Sequence, residues 1–274
     1  MDGVYYAIVA VGLGTLWLRD LRFARSRSTR ARAWNAMFDP DAEVALHVAE
    51  HVARSRGQAP STLHLLYGLL QDEAVADAVR QAGGAASAVE DRVLTALDAA
   101  ARAGAAPGAE AEAKRAIEGA VASAYYGKRK VTCAGLWGHL SGPKVEALLG
   151  RDGPSHVAVL FRLAHGGAEP DLDAPAGGEA CVVLRNDDFT TMEFVCETLQ
   201  TVFALPRAEA EAQMLKIHRE GRAAVGRYAA PEARAKAAEA RRRARAQGFP
   251  LWVGVEAPDA AGPASTPRAA GAGA

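Results

Sequence analysis

Between residues 39 and 166 the apolar positions fall into amphipathic-helix patterns, and the pattern recurs at a fixed distance. Residues 45–69 (ALHVAEHVARSRGQAPSTLHLLYGL) align without gaps to residues 116–140 (AIEGAVASAYYGKRKVTCAGLWGHL), a shift of 71 positions. In each copy a helical stretch ends in a short basic or polar loop. Ser61 or Thr132 then precedes Leu65 or Leu136, where the N-cap of a second helix is expected. Two pseudo-symmetric bundles are the simplest way to bury such faces, so the pattern predicts an all-α double-repeat domain over 39–166.

Downstream the period changes. Residues 181–185 are a continuous strand-like apolar run, and residues 190–193 (TTME) read as a capping box that opens a helix. Residues 207–220 read as a second helix and 222–228 as a strand. A third helix follows over 231–247, with Pro231 in its first turn and Gly248 beyond its end, and 250–256 closes the sheet. The order β-α-α-β-α-β over 181–256 predicts a compact α+β module and makes the chain multidomain. Residues 167–180 have no period and are rich in Gly, Pro, Ala and acid, which reads as a flexible linker; residues 257–274, of similar composition, read as a disordered tail.

At the other end, residues 4–18 (VYYAIVAVGLGTLWL) carry no charge, and six arginines follow between Arg19 and Arg32. A secretory signal would carry positive charge before the apolar run, where only Asp2 stands. The expectation is an N-terminal membrane helix over 4–18 with a basic juxtamembrane segment over 19–38. Fifteen residues span about 22 Å, less than the ~30 Å hydrocarbon core, so flanking residues would have to snorkel or the bilayer thin. Tyr5, Tyr6 and Trp17 stand near its ends, where amphipathic rings favour the interface. The positive-inside rule then gives a single pass of the inner (cytoplasmic) membrane, with membrane lipid as a partner and the later domains facing the cytoplasm.

Composition narrows the chemistry. The chain is 50% apolar, enough to fill real cores, and its 32 basic and 32 acidic residues cancel, so net charge implies no nucleic-acid partner. Cys133, Cys181 and Cys196 are odd in number and widely spaced, which suits a reducing compartment better than a disulfide framework. No G-x-x-x-x-G-K-[ST] string is present to cradle nucleotide phosphates, and no cofactor is implied. His47-Val48-Ala49-Glu50-His51 matches the H-x-x-E-H string of zinc proteases, but it falls within the first helix of the repeat and needs a third ligand from elsewhere. It reads as a helix face, and no metal is expected. The cluster Arg241, Arg242, Arg243 and Arg245 reads as a solvated helix face. No Ser/His/Asp arrangement is evident, so no catalytic residue is assigned and the chain reads as a non-enzyme.

Two resemblances sharpen this. The double repeat, ending VAVLFRLAHG over 157–166, resembles the Clp N-terminal domain at the head of ClpA and ClpC unfoldases; Leu63 and Ala134 stand where the ClpC branch has a glutamate in its T-x-E-H motif, so phosphoarginine reading is not carried over. Residues 182–195 (VVLRNDDFTTMEFV), 214–226 (MLKIHREGRAAVG) and 249–256 (FPLWVGVE) resemble ClpS, the N-degron adaptor, in order and spacing across the module.

The ClpS resemblance implies that Asn186, Asp187 and His218 receive a substrate's α-amino group, and that Met192, Val195, Met214, Ile217 and Leu251 line a pocket for its side chain, with Thr190 and Asp188 at the rim. Met192 would bar β-branched termini, and Lys236 would contact the unfoldase. Taken alone, Asn186-Asp187-Asp188 reads as a strand-to-helix turn, Met192 and Met214 as core fillers and His218 as a core histidine. The function implied is an adaptor that hands proteins with bulky apolar amino termini to a Clp AAA+ unfoldase, ClpA or ClpC, with ClpP. The alternative is a membrane-tethered scaffold or decoy in which the Clp N-domain docks the ClpS module and regulates protease access.

Overall fold

The computed structural model describes residues 37–104, 108–150, 153–172 and 178–258, and these fall into two compact units that divide between Leu163 and Ala164. In the first unit the described helices are α1 (Pro40–Ser55), α2 (Thr62–Leu70), α3 (Glu73–Gln81), α4 (Ala86–Ala103), α5 (Ala109–Tyr126), α6 (Cys133–Gly138), α7 (Pro143–Leu149) and α8 (His156–His165), whose last residues, Ala164 and His165, belong to the second unit. The 71-residue shift carries α1 to α5, α2 to α6, α3 to α7 and α4 to α8. Asp39 caps α1 by accepting from Ala42 N at 2.7 Å, and Thr132 caps α6 by accepting from Gly135 N at 3.0 Å.

Alanine and glycine in these helices are a packing device. A Cβ on Gly68 would lie 2.1 Å from the Ala45 carbonyl oxygen, so α1 and α2 touch backbone to side. In the second repeat the small partner changes sides, and Gly119 of α5 makes room for His139 after α6. The repeats are also tied together. Phe38 forms a parallel bridge with Val131, with Val131 N donating to Met37 O at 2.8 Å and Asp39 N to Val131 O at 2.9 Å. Arg92 of α4 donates to Leu148 O and Leu149 O at the end of α7.

Two buried histidines help hold this unit. His64 Nδ1 accepts from Ser61 N at 3.2 Å and lies 2.8 Å from Ser61 Oγ, completing a capping box, while Nε2 faces Gln58 Oε1 at 3.1 Å. Burial, with Arg56 nearby, pushes its pKa down to about 4. His156 stacks on Trp137 with centroids 5.5 Å apart and donates Nε2–H to Trp137 O at 2.8 Å. His47 and His51 lie exposed on α1, Glu50 between them pairs with Arg54, and no metal-ligand cluster occurs among the described residues.

The second unit contains β1 (Glu179–Arg185), α9 (Met192–Thr201), α10 (Arg207–Glu220), β2 (Arg222–Ala229), α11 (Ala230–Ala246) and β3 (Trp252–Glu256). Its sheet has the order β2-β1-β3, antiparallel throughout, with Arg185 opposite Arg222 on one side and Trp252 on the other. Val182, Leu184, Val225 and Val253 meet Phe194, Leu199, Phe203 and the alanines of α11 in one core. The helical region is therefore followed by a small α/β unit with a three-stranded sheet. The stretch read as a linker makes contacts where it is described: Leu172 packs against this core, and Pro170 O accepts from Arg241.

The membrane expectation is overturned. Among the described residues no helix is long and apolar enough to cross a membrane, and residues 4–18 lie outside the described residues. The expected transmembrane helix, inner-membrane location and lipid partner do not stand. Fifteen residues would reach only about 22 Å even if fully helical, against a ~30 Å hydrocarbon core.

Candidate functional site

The polar end of the second unit forms where β1 stops. Arg185, its last residue, lays its guanidinium 4.0 Å over the Trp252 ring, and Trp252 lies flat against Gly254, where a Cβ would come 2.4 Å from the indole. Asn186 N then donates to Gly221 O at 2.8 Å. Gly221 has φ +78, the left-handed geometry that stops α10 and turns the chain directly into β2. That turn brings the last turn of α10 beside Asn186, and His218 Nδ1 lies 3.3 Å from Asn186 Oδ1 with the ring exposed.

Asp187 is fixed by its own loop. Oδ1 accepts from Phe189 N at 2.8 Å and from Thr190 N at 2.6 Å, and Oδ2 accepts from the Thr190 hydroxyl at 2.8 Å. A carboxylate offers about four lone-pair sites, so about one remains. This corrects the expected capping box: Thr190 serves Asp187, and Thr191 is the N-cap of α9, accepting from Phe194 N at 3.2 Å. Asp188 is exposed on the same loop.

The apolar candidates divide by depth. Val195, Ile217 and Leu251 are buried members of the core, and Met214 is half-buried against it. Met192, at the first position of α9, is 43% exposed. Gln213, the neighbour of Met214, donates to Ala224 O at 2.7 Å and fixes α10 on β2. Two cavities of the helical unit, about 320 and 550 Å³, are lined by none of these residues.

Lys236 is held within the unit. Its ammonium donates to Val202 O at 2.9 Å, pairs with Glu232 at 3.7 Å and lies 5.0 Å from the centroid of the Tyr228 ring. The arginine cluster departs from the solvated face expected of it. Arg242 and Arg243 pair with Glu239 on their own helix, whereas Arg241 and Arg245 are half-buried and bind Glu169 and the backbone. Burial lowers the pKa of both, that of Arg245 to about 10. Periodicity could not reveal this, because the segment that covers them lies some 70 residues earlier.

Two families match the chain. "ATP-dependent Clp protease adaptor protein ClpS" covers residues 178–254, and "Clp repeat (R) N-terminal domain" covers residues 37–136. The ATP-dependent Clp protease adapter protein ClpS of Neisseria gonorrhoeae is 45% identical over 75 residues, which are 27% of this chain and 72% of that protein. The protein of the same name from Desulforapulum autotrophicum is 47% identical over 75 residues, again 27% of this chain and 72% of the relative. Among solved structures, Agrobacterium tumefaciens ClpS2 bound to L-phenylalaninamide is 36% identical, with 28% of this chain and 94% of that one covered and a TM-score of 0.28.

Proposed function

The chain belongs to the ClpS family of Clp protease adaptors, and from that premise we propose that its second unit captures proteins by a free, bulky apolar amino terminus for delivery to a Clp AAA+ unfoldase, ClpA or ClpC, with ClpP. The observation that carries the reading is the polar group where β1 meets α10: His218 Nδ1 lies 3.3 Å from Asn186 Oδ1, with Asp187 alongside in sequence. A free α-amino group has a pKa near 8, is largely cationic at neutral pH and brings three donors. The second lone pair of Asn186 Oδ1, the other ring nitrogen of His218 and the remaining lone pair of Asp187 supply three acceptors, and an internal peptide bond has no charged group to offer them.

In this reading Val195, Ile217 and Leu251 form the floor on which the first side chain rests, Met214 is a wall and Met192 the movable rim, with Thr190 and Asp188 at the edge. Burying an aromatic or leucyl side chain there contributes about 25 cal/mol per Å² of apolar area. The repeat over 39–166 belongs to the same machinery as a Clp N-terminal domain, and the module over 181–256 is its substrate-reading partner. Lys236 remains the unfoldase contact, in a form already ordered by Glu232 and Val202 O. The test is fluorescence anisotropy with a labelled peptide that begins with Phe and with the same peptide N-acetylated. Binding of the free form alone is the expected result; equal binding of both sinks the reading.

A further inference from the structure

We infer that residues 165–172 act as a strap that sets the shape of the side-chain pocket by holding the turn between α11 and β3, with His165 and Glu169 as positioning residues. The inference rests on the reading of this site as a seat for apolar amino termini.

The turn carries Phe249, Pro250 and Leu251. Leu251 is buried in the core, and the Phe249 ring packs on Phe194 with centroids 4.8 Å apart, next to Val195. The turn is held through polar contacts on its backbone. Phe249 N donates to Ala244 O at 2.9 Å, Arg245 Nη1 donates to Phe249 O at 2.7 Å, and His165 Nε2 lies 2.9 Å from Pro250 O. A carbonyl oxygen only accepts, so the His165 proton in this contact is on Nε2.

The last two of these contacts depend on the strap. His165 belongs to it. Arg245 is aimed by an ion pair with Glu169, whose second oxygen lies 3.7 Å from Arg241, and Arg241 itself ties Pro170 O and Val253 O together at 2.6 Å each. Leu172 anchors the far end of the strap against the core. Burial lowers the pKa of His165, and the Pro250 carbonyl and the Asp187 charge oppose that shift.

A close-packed pocket responds to small displacements of its walls. Once the carbonyls of Phe249 and Pro250 lose their donors, Phe249 and Leu251 can move together, and the pocket changes in which side chains it fits more than in whether it detects the amine. The strap is thus a determinant of size selectivity.

The experiment compares full-length protein with His165→Ala, Glu169→Ala and the double variant, with His165→Gln and Glu169→Asp as conservative controls. The probes are free-amino and N-acetylated peptides beginning with Phe, Leu or Trp. Support consists of a change of about tenfold in the Leu-to-Phe or Trp-to-Phe affinity ratio, the scale of one misfitted methylene, an unchanged preference for the free amine, and recovery of the ratio in the conservative variants. A general loss of packing would scale the three affinities together. Should the double variant fail to fold, His165→Ala reads the same ratio. Wild-type selectivity in the alanine variants overturns the strap alone, whereas a wild-type protein that ignores the free amine overturns the strap and the site together.

Discussion

The helical unit and the α/β unit use the same polar residue types to opposite ends. In the helical unit they are consumed internally: His64 closes a capping box, His156 locks onto Trp137, and Glu146 accepts from His156 N. In the α/β unit Asn186 and His218 meet at an exposed edge at 3.3 Å, and Asp187 keeps acceptor capacity after serving its loop. Residue type therefore says little about binding here. What separates a structural histidine from a candidate ligand here is burial: His64 and His156 are enclosed with their partners, whereas the His218 ring is exposed.

The largest expected effect breaks this contrast at the open end. Asn186→Ala with His218→Ala removes two acceptors at about 2 kcal/mol each, so a free-amino Phe peptide should lose on the order of a thousandfold in affinity by anisotropy. The helical unit should melt as before.

The next tests the closed end. With its folded pKa near 4, below the 6.5 of an unperturbed histidine, His64 takes a proton more readily in the unfolded chain. Its stabilisation is complete above pH 6.5 and lost as pH falls towards 4, by about 3 kcal/mol in all. His64→Gln, which keeps an acceptor at that position, should flatten this part of the thermal-stability profile; an unchanged slope would show that the ring does not require neutrality.

Met192→Ala should admit Ile- and Val-initiated peptides with a gain of about tenfold and little change for Phe, since the side chain removed is exposed at the rim. Continued exclusion of Ile and Val by titration would show that Met192 is not the gate. Smallest of all, Thr132→Ala should cost about 1 kcal/mol in denaturant unfolding through loss of the α6 cap.

Pattern recovers those parts of the molecule that are local. The 71-residue repeat, the two caps Ser61 and Thr132, and the helix over Arg207–Glu220 follow from spacing alone. Thr190 and Thr191 can each cap a helix, and the choice between them is made by Asp187, which takes the Thr190 hydroxyl. Arg241 and Arg245 escape the pattern for a different reason. A helical period tells which residues share a face but not what crosses it, and the covering segment lies far away in sequence. Of the site, Asn186 and His218 are brought together, while Val195, Ile217 and Leu251 carry core packing as well, a double duty that apolar residues do not disclose by type.

Phe38 must wait for Val131 while the chain is being made. Val131 lies 93 positions later, and at roughly 5–20 residues per second the ribosome delivers it about 5–20 s after Phe38. Through that interval Phe38 has no bridge partner, and Asp39 N, at the start of α1, lacks the carbonyl that will accept it. The bridge that ties the start of the first repeat to the second is therefore made only after the second repeat has emerged.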